Sequence, residues 1–240
     1  MKFLSALLII TIAVSSCNLI DGRRIKGNGK ITTKNYDLKD FDGIDIGGAK
    51  SLHIKLDSVY SVRVETDENI FNHLRVSVRD GELKVQSKDG SWLNPTDGVK
   101  IFVSLPVLKK LEVSGASTVK TEGKILQDEK LAIKLSGASE GNLDVRIPEI
   151  GVTASGASSI TMSGESRDLV VDAKGASTFD GFDLKAENTR VDASGASTGN
   201  VFASINLKAT ASGASDVKYK GNPKVIENTS GASSVKKAAP

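Results

Sequence analysis

Cysteine occurs once in the 240 residues, at Cys17, so no internal disulfide can staple the chain. Histidine occurs twice, at His53 and His73, and neither has a second His or a Cys at metal-ligand spacing. Each therefore reads as an ordinary surface histidine, and the expected cofactors and metals are none. The many serines have no partner base: no His follows residue 73. Aromatics make up only 5% of the chain, and 32 basic and 29 acidic residues are scattered over both signs. A nucleic-acid groove needs a basic patch and usually stacking rings, so that class of partner is excluded. The one strongly apolar stretch, residues 3–14, is far short of the roughly 20 residues that span a bilayer.

What the chain has in abundance is one short motif. Ser-Gly-Ala-Ser stands at 114–117, 136–139, 155–158, 194–197, 212–215 and 230–233, with Lys-Gly-Ala-Ser at 174–177. The glycines Gly115, Gly137, Gly156, Gly175, Gly195, Gly213 and Gly231 are separated by 22, 19, 19, 20, 18 and 18 residues. A fixed period of this length means stacked units rather than one globular core. Two residues before each Gly stand Val113, Leu135, Ala154, Ala173, Ala193, Ala211 and Thr229; four before stand Leu111, Ile133, Val152, Val171, Val191, Ala209 and Glu227. The residues between are mostly polar, so each unit holds a strand with one buried and one wet face.

Four residues after Gly the row reads Val119, Gly141, Ile160, Phe179, Gly199, Val217 and Val235, with Leu143 and Val201 taking over by slippage where Gly intervenes. A second short strand therefore follows each corner. No run would make a ten-residue amphipathic helix. The unit fits one coil of a single-stranded parallel β-helix, 18–22 residues per coil, all-β in class. Seven coils stacked at about 4.8 Å give a section roughly 30–35 Å long. The repeated Gly reads as a corner with positive φ or no room for Cβ, and the serines as a ladder whose hydroxyls bond from coil to coil.

In chain order, residues 1–16 have the n-region and h-region of a signal peptide, and Val14-Ser15-Ser16-Cys17 resembles the bacterial lipobox. That resemblance implies cleavage before Cys17, lipid attachment at Cys17 and, with Asn18 rather than Asp next, passage to the outer membrane of a Gram-negative bacterium. The membrane is then a partner through the lipid on Cys17. Residues 17–30 form a basic, polar tether. Residues 31–106 have alternating strands without the full motif and read as irregular β coils, Gly47-Gly48-Ala49-Lys50-Ser51 being a degenerate first corner. One helical turn is expected at Glu68–His73, and a turn at Arg79-Asp80-Gly81-Glu82. Residues 107–235 are the regular Ser-Gly-Ala-Ser β-helix, and 236–240 a basic tail that blunts the last edge.

Carboxylates are the one catalytic candidate. Asp172 and Asp192 share the address three before Gly, so adjacent coils bring them together, as a glycan-cleaving pair would need. Arg190, two residues before Asp192, can neutralise it instead, and the solvated, ion-paired face is the reading adopted. A Thr-rich ice-binding face is excluded because the wet row runs Glu112, Lys134, Thr153, Asp172, Asp192, Thr210, Asn228.

The lipobox, Phe41-Asp42-Gly43-Ile44, Gly81-Glu82-Leu83-Lys84-Val85 and the Ser-Gly-Ala-Ser corners together resemble the head GIN domain family of auto-transporter adhesin-like proteins, formerly a domain of unknown function. The resemblance covers roughly residues 36–235. It implies a right-handed parallel β-helix in an exported, envelope-attached protein, with no catalytic motif. The functional expectation is a non-enzymatic envelope lipoprotein that binds protein or glycan along its solenoid wall, for instance in adhesion. The alternatives are a structural or assembly role in the envelope and, third, a carbohydrate-active enzyme.

Overall fold

The computed structural model describes residues 24–239. The expected signal peptide, Cys17 and the first part of the expected tether lie outside the described residues. Strand accounts for 63% and helix for 4%, and the stacked parallel coils form a β-solenoid of about six turns. Twenty strands make one continuous sheet, and Arg24–Lys26 forms a separate parallel pair with Trp92–Asn94.

The alternation of the sequence explains the coil. Leu111, Ile133, Val152, Val171, Val191 and Ala209 point inward and are buried, as are Val113, Leu135, Ala154, Ala173, Ala193 and Ala211. Parallel ladders join Lys110–Ser114 to Leu131–Leu135, then to Glu149–Ala154, to residues 168–173, to 188–193, to Asn206–Ala211 and to Lys224–Thr229. The strand after the corner makes its own column: Thr118–Thr121, Glu140–Arg146, residues 159–165, 178–185, Thr198–Phe202, Asp216–Lys220 and Ser234–Lys237. Where Gly141 and Gly199 leave the inward row empty, Leu143 and Val201 are buried, as the slippage predicts. Neighbouring side chains fill the gap: Ile160 and Leu135 reach the space beside Gly141, and Val191 and Val217 that beside Gly199.

The corners stack into one column. Gly195 shows why the residue is glycine: its φ is +82°, and a Cβ there would lie 2.7 Å from the carbonyl oxygen of Gly175 one turn away. That close approach lets the amide of Ala196 donate to the same oxygen at 2.7 Å, a contact repeated by Ala214 on Gly195. The serines depart from the expected hydroxyl ladder. The second Ser of each corner from Ser139 onward donates its hydroxyl to backbone rather than to another Ser. Ser197 Oγ bonds Ala173 O at 3.1 Å, and Ser215 Oγ bonds Ala193 O at 3.1 Å and Ser212 O at 2.9 Å. A buried hydroxyl needs a partner, and the corner's carbonyls supply it, Ala173 O and Ala193 O also accepting the amides of Ser194 and Ser212.

The first third is more mixed than a run of irregular coils. Gly43–Gly47 and Lys50–Leu56 do form a coil, and Gly48, with φ +79°, heads the glycine column. This coil is not the end of the stack. It lies between the 110–121 coil and a coil made by Glu82–Ser87 and Val99–Leu105. Antiparallel strands flank that outer coil. Ser61–Asp67 pairs with both Val99–Leu105 and Ile31–Tyr36, and Leu74–Arg79 forms a hairpin with Glu82–Ser87 through Asp80 and Gly81. The 3₁₀ helix Glu68–His73 occupies the expected helical turn. At the opposite end, Glu227 and Thr229 stand exposed at inward addresses, and the last strand, Ser234–Lys237, takes in the first two residues of the expected tail.

Candidate functional site

The coil sorts outward-facing residues into columns, one residue per turn. One side carries Asp168, Asn188, Asn206 and Lys224 in a column, and beside it Val170, Arg190, Lys208 and Ile226. The first column is a hydrogen-bonded ladder: Asn206 Nδ2 donates to Asn188 Oδ1 at 2.8 Å, and Asn188 Nδ2 donates to Asp168 Oδ1 at 2.9 Å. Arg167 bonds Asp168 at 2.7 Å. The guanidinium, and after it the Asn188 amide, holds the Asp168 carboxyl below its usual range. Together these columns line a shallow groove of about 420 Å³.

A second groove of about 850 Å³ follows the bend that leads into these strands, bordered by Leu126, Arg146, Pro148, Glu165, Lys185 and Phe202. Lys185 Nζ sits 4.3 Å from the centre of the Phe202 ring, and Arg146 pairs with Glu165 at 3.4 Å. Among the exposed large apolar side chains, Val170 and Ile226 line the first groove and Leu126 the second.

The fold does bring Asp172 and Asp192 together, as cross-strand neighbours in register. Each carboxylate is already engaged by its own strand: Lys174 bonds Asp172 at 2.6 Å, and Arg190 bonds Asp192 at 2.9 Å. Two carboxylates paired in this way on an open face form an ion-pair ladder. His53 is more engaged than an ordinary surface histidine. Its Nδ1 lies 3.0 Å from Glu122, and its ring packs against Phe102, over which Arg63 also stacks at 4.0 Å. Among the described residues no three His, Cys, Asp or Glu side chains converge as metal ligands would.

A charged cluster on the same sheet escapes sequence reasoning, because its members come from strands far apart in the chain. Glu82 binds Lys110 at 2.5 Å and Lys84 at 3.1 Å, and Lys110 also binds Glu112 at 3.0 Å. Asp45, in register with Lys84 and Glu112, is raised above its usual value, first by burial and then by Glu112. The only hint in the sequence is the degenerate corner, which places the 43–56 coil in the stack without fixing its neighbours.

The family model described as "putative auto-transporter adhesin, head GIN domain" matches residues 40–223, and the chain belongs to that family. A crystal structure titled a putative adhesin from Bacteroides fragilis superposes with a TM-score of 0.81 at 20% identity, covering 89% of this chain and 100% of that one. One titled a putative lipid binding protein from Parabacteroides distasonis gives 0.73 at 21%, covering 90% and 100%. A putative adhesin from Parabacteroides merdae gives 0.71 at 19%, covering 91% and 100%. At such identities the likeness is one of fold. A comparison with curated proteins finds no match.

Proposed function

We propose, with family membership as the premise, that the chain is a non-enzymatic lipoprotein of the bacterial cell envelope that binds protein or glycan through the side wall of its solenoid. The observation that carries this reading is the wall itself. An amide ladder, cations and exposed aliphatic side chains share one side of the rod, repeated at the rung spacing. A repeating polymer or an extended surface meets such a wall at many equivalent points, so weak contacts add. Engagement of Asp172 and Asp192 by neighbouring cations supports binding over cleavage.

In this reading Cys17 carries the lipid anchor, with the outer membrane as destination. The described chain starts at Arg24, whose strand pairs beside the outer 82–105 coil, so the tether joins the rod at one end and leaves the wall free along its length. The test is protease shaving of intact cells with a periplasmic control, combined with palmitate labelling of wild type and Cys17→Ser. Labelling lost in C17S and digestion in intact cells are the expected results. Protection until the outer membrane is broken would redirect the reading to the structural or assembly role inside the envelope.

A further inference from the structure

The groove along Asp168–Lys224 is asymmetric in charge, and the asymmetry points to one class of ligand. Val170, Arg190, Lys208 and Ile226 follow one another across four adjacent strands, an aliphatic side chain at each end and two cations between. Lys224 closes the neighbouring column after Asn188 and Asn206. Arg190 is held by Asp192, whereas Lys208 and Lys224 make no ion pair among the described residues. They also lie at the basic end of the rod: residues 204–239 contain Lys208, Lys218, Lys220, Lys224, Lys236 and Lys237 against only Asp216 and Glu227. Such an excess of one sign raises the local concentration of anions and steers them inward.

We propose that this groove binds a linear acidic polysaccharide, a uronate-bearing chain lying along the rod axis; the inference rests on the wall-binding reading above. Three rung steps at about 4.8 Å give roughly 14 Å of straight groove, enough for a few sugar rings in line. Cations at successive rungs meet carboxylates that recur along the polymer. The amides of Asn188 and Asn206 are suited to ring hydroxyls, and Val170 and Ile226, 45% and 56% exposed, offer the C–H faces of the rings something to pack on. An anionic bilayer is the poorer match. The strand nearest the tether lies at the opposite end of the stack, so a rod anchored there carries its basic end away from the membrane.

The test is binding of the full-length chain, in mild detergent, to polygalacturonate, with neutral dextran and phosphatidylglycerol nanodiscs alongside. Wild type should bind polygalacturonate and not dextran, weakening with salt, and the K208E/K224E pair should lose at least about tenfold in affinity. K236E/K237E makes the same charge change at the same end but outside the groove and should keep most of the affinity. Matching melting curves show that both variants fold. Equal loss in the two variants, absence of binding to polygalacturonate at low salt, or preference for nanodiscs would each overturn the proposal. Binding of a protein or neutral glycan undisturbed by K208E/K224E would overturn it too, while leaving the broader wall reading standing.

Discussion

The backbone amide of Lys50 donates to Ser117 Oγ at 3.2 Å, which seats a lysine where six of the seven regular corners have a buried serine. The Lys50 side chain has no route outward. It is 2% exposed, with Nζ donating to the carbonyl oxygens of Gly47 and Gly48. Burial pushes its pKa down from 10.5 to about 8.

From this follows an unusual pH dependence. Below pH 8 both folded and unfolded chains hold the proton, and the burial cost is constant. Between about 8 and 10.5 the unfolded chain holds a proton that the folded one has shed, so stability rises with pH. Replacing the lysine with the ladder's own residue, Lys50→Ser, should stabilise the fold at pH 7 by about 1–3 kcal/mol. It should also flatten the alkaline rise. Urea melts at pH 7 and pH 10 check both, and a destabilised, still pH-sensitive variant would refute the account.

Asp67 gives a slope of the same sign in acid. Its carboxylate, fully buried, accepts from the amides of Gly29 and Thr96 and from the Thr96 hydroxyl, each at 2.7 Å. Burial alone would raise its pKa, but the Thr96 and Gly29 hydrogen bonds outweigh it and hold the group below 3.8. The stabilisation is therefore present above the unfolded value and lost as pH falls through the lower, folded one. Asp67→Ala should cost about 3 kcal/mol by leaving buried donors unpaired. Circular dichroism melts should then show a wild-type loss in acid that the variant lacks.

Gly195→Val tests the corner column. The substitution meets both a φ of +82° and the Gly175 carbonyl, so a loss of about 3 kcal/mol or more is expected. An unchanged melting temperature would show that the column can part at no cost.

The double change D172N/D192N should alter stability by less than about 1 kcal/mol, since exposed pairs contribute little. Neither wild type nor variant should release unsaturated or reducing product from a broad panel of polysaccharides. Turnover by wild type that disappears in the variant would restore the glycan-cleaving alternative.

The sequence by itself determined the coil. Period-two burial around a glycine repeated every 18–22 residues admits one local geometry, so the inward rows, the slip to Leu143 and Val201, and the 3₁₀ turn at Glu68–His73 were all legible. Contacts between adjacent repeats are copies of one another, which is why a pattern in one dimension suffices there. The tertiary structure decided whatever pairs distant segments. It threads the 43–56 coil between the 82–105 and 110–121 coils, adds antiparallel strands at that end, and gathers Asp45, Glu82, Lys110 and Glu112 into one cluster. None of those partners lies one period away, so no spacing announces them. The same holds for Lys50, where the sequence shows a broken motif and only the packed coil shows a buried charge.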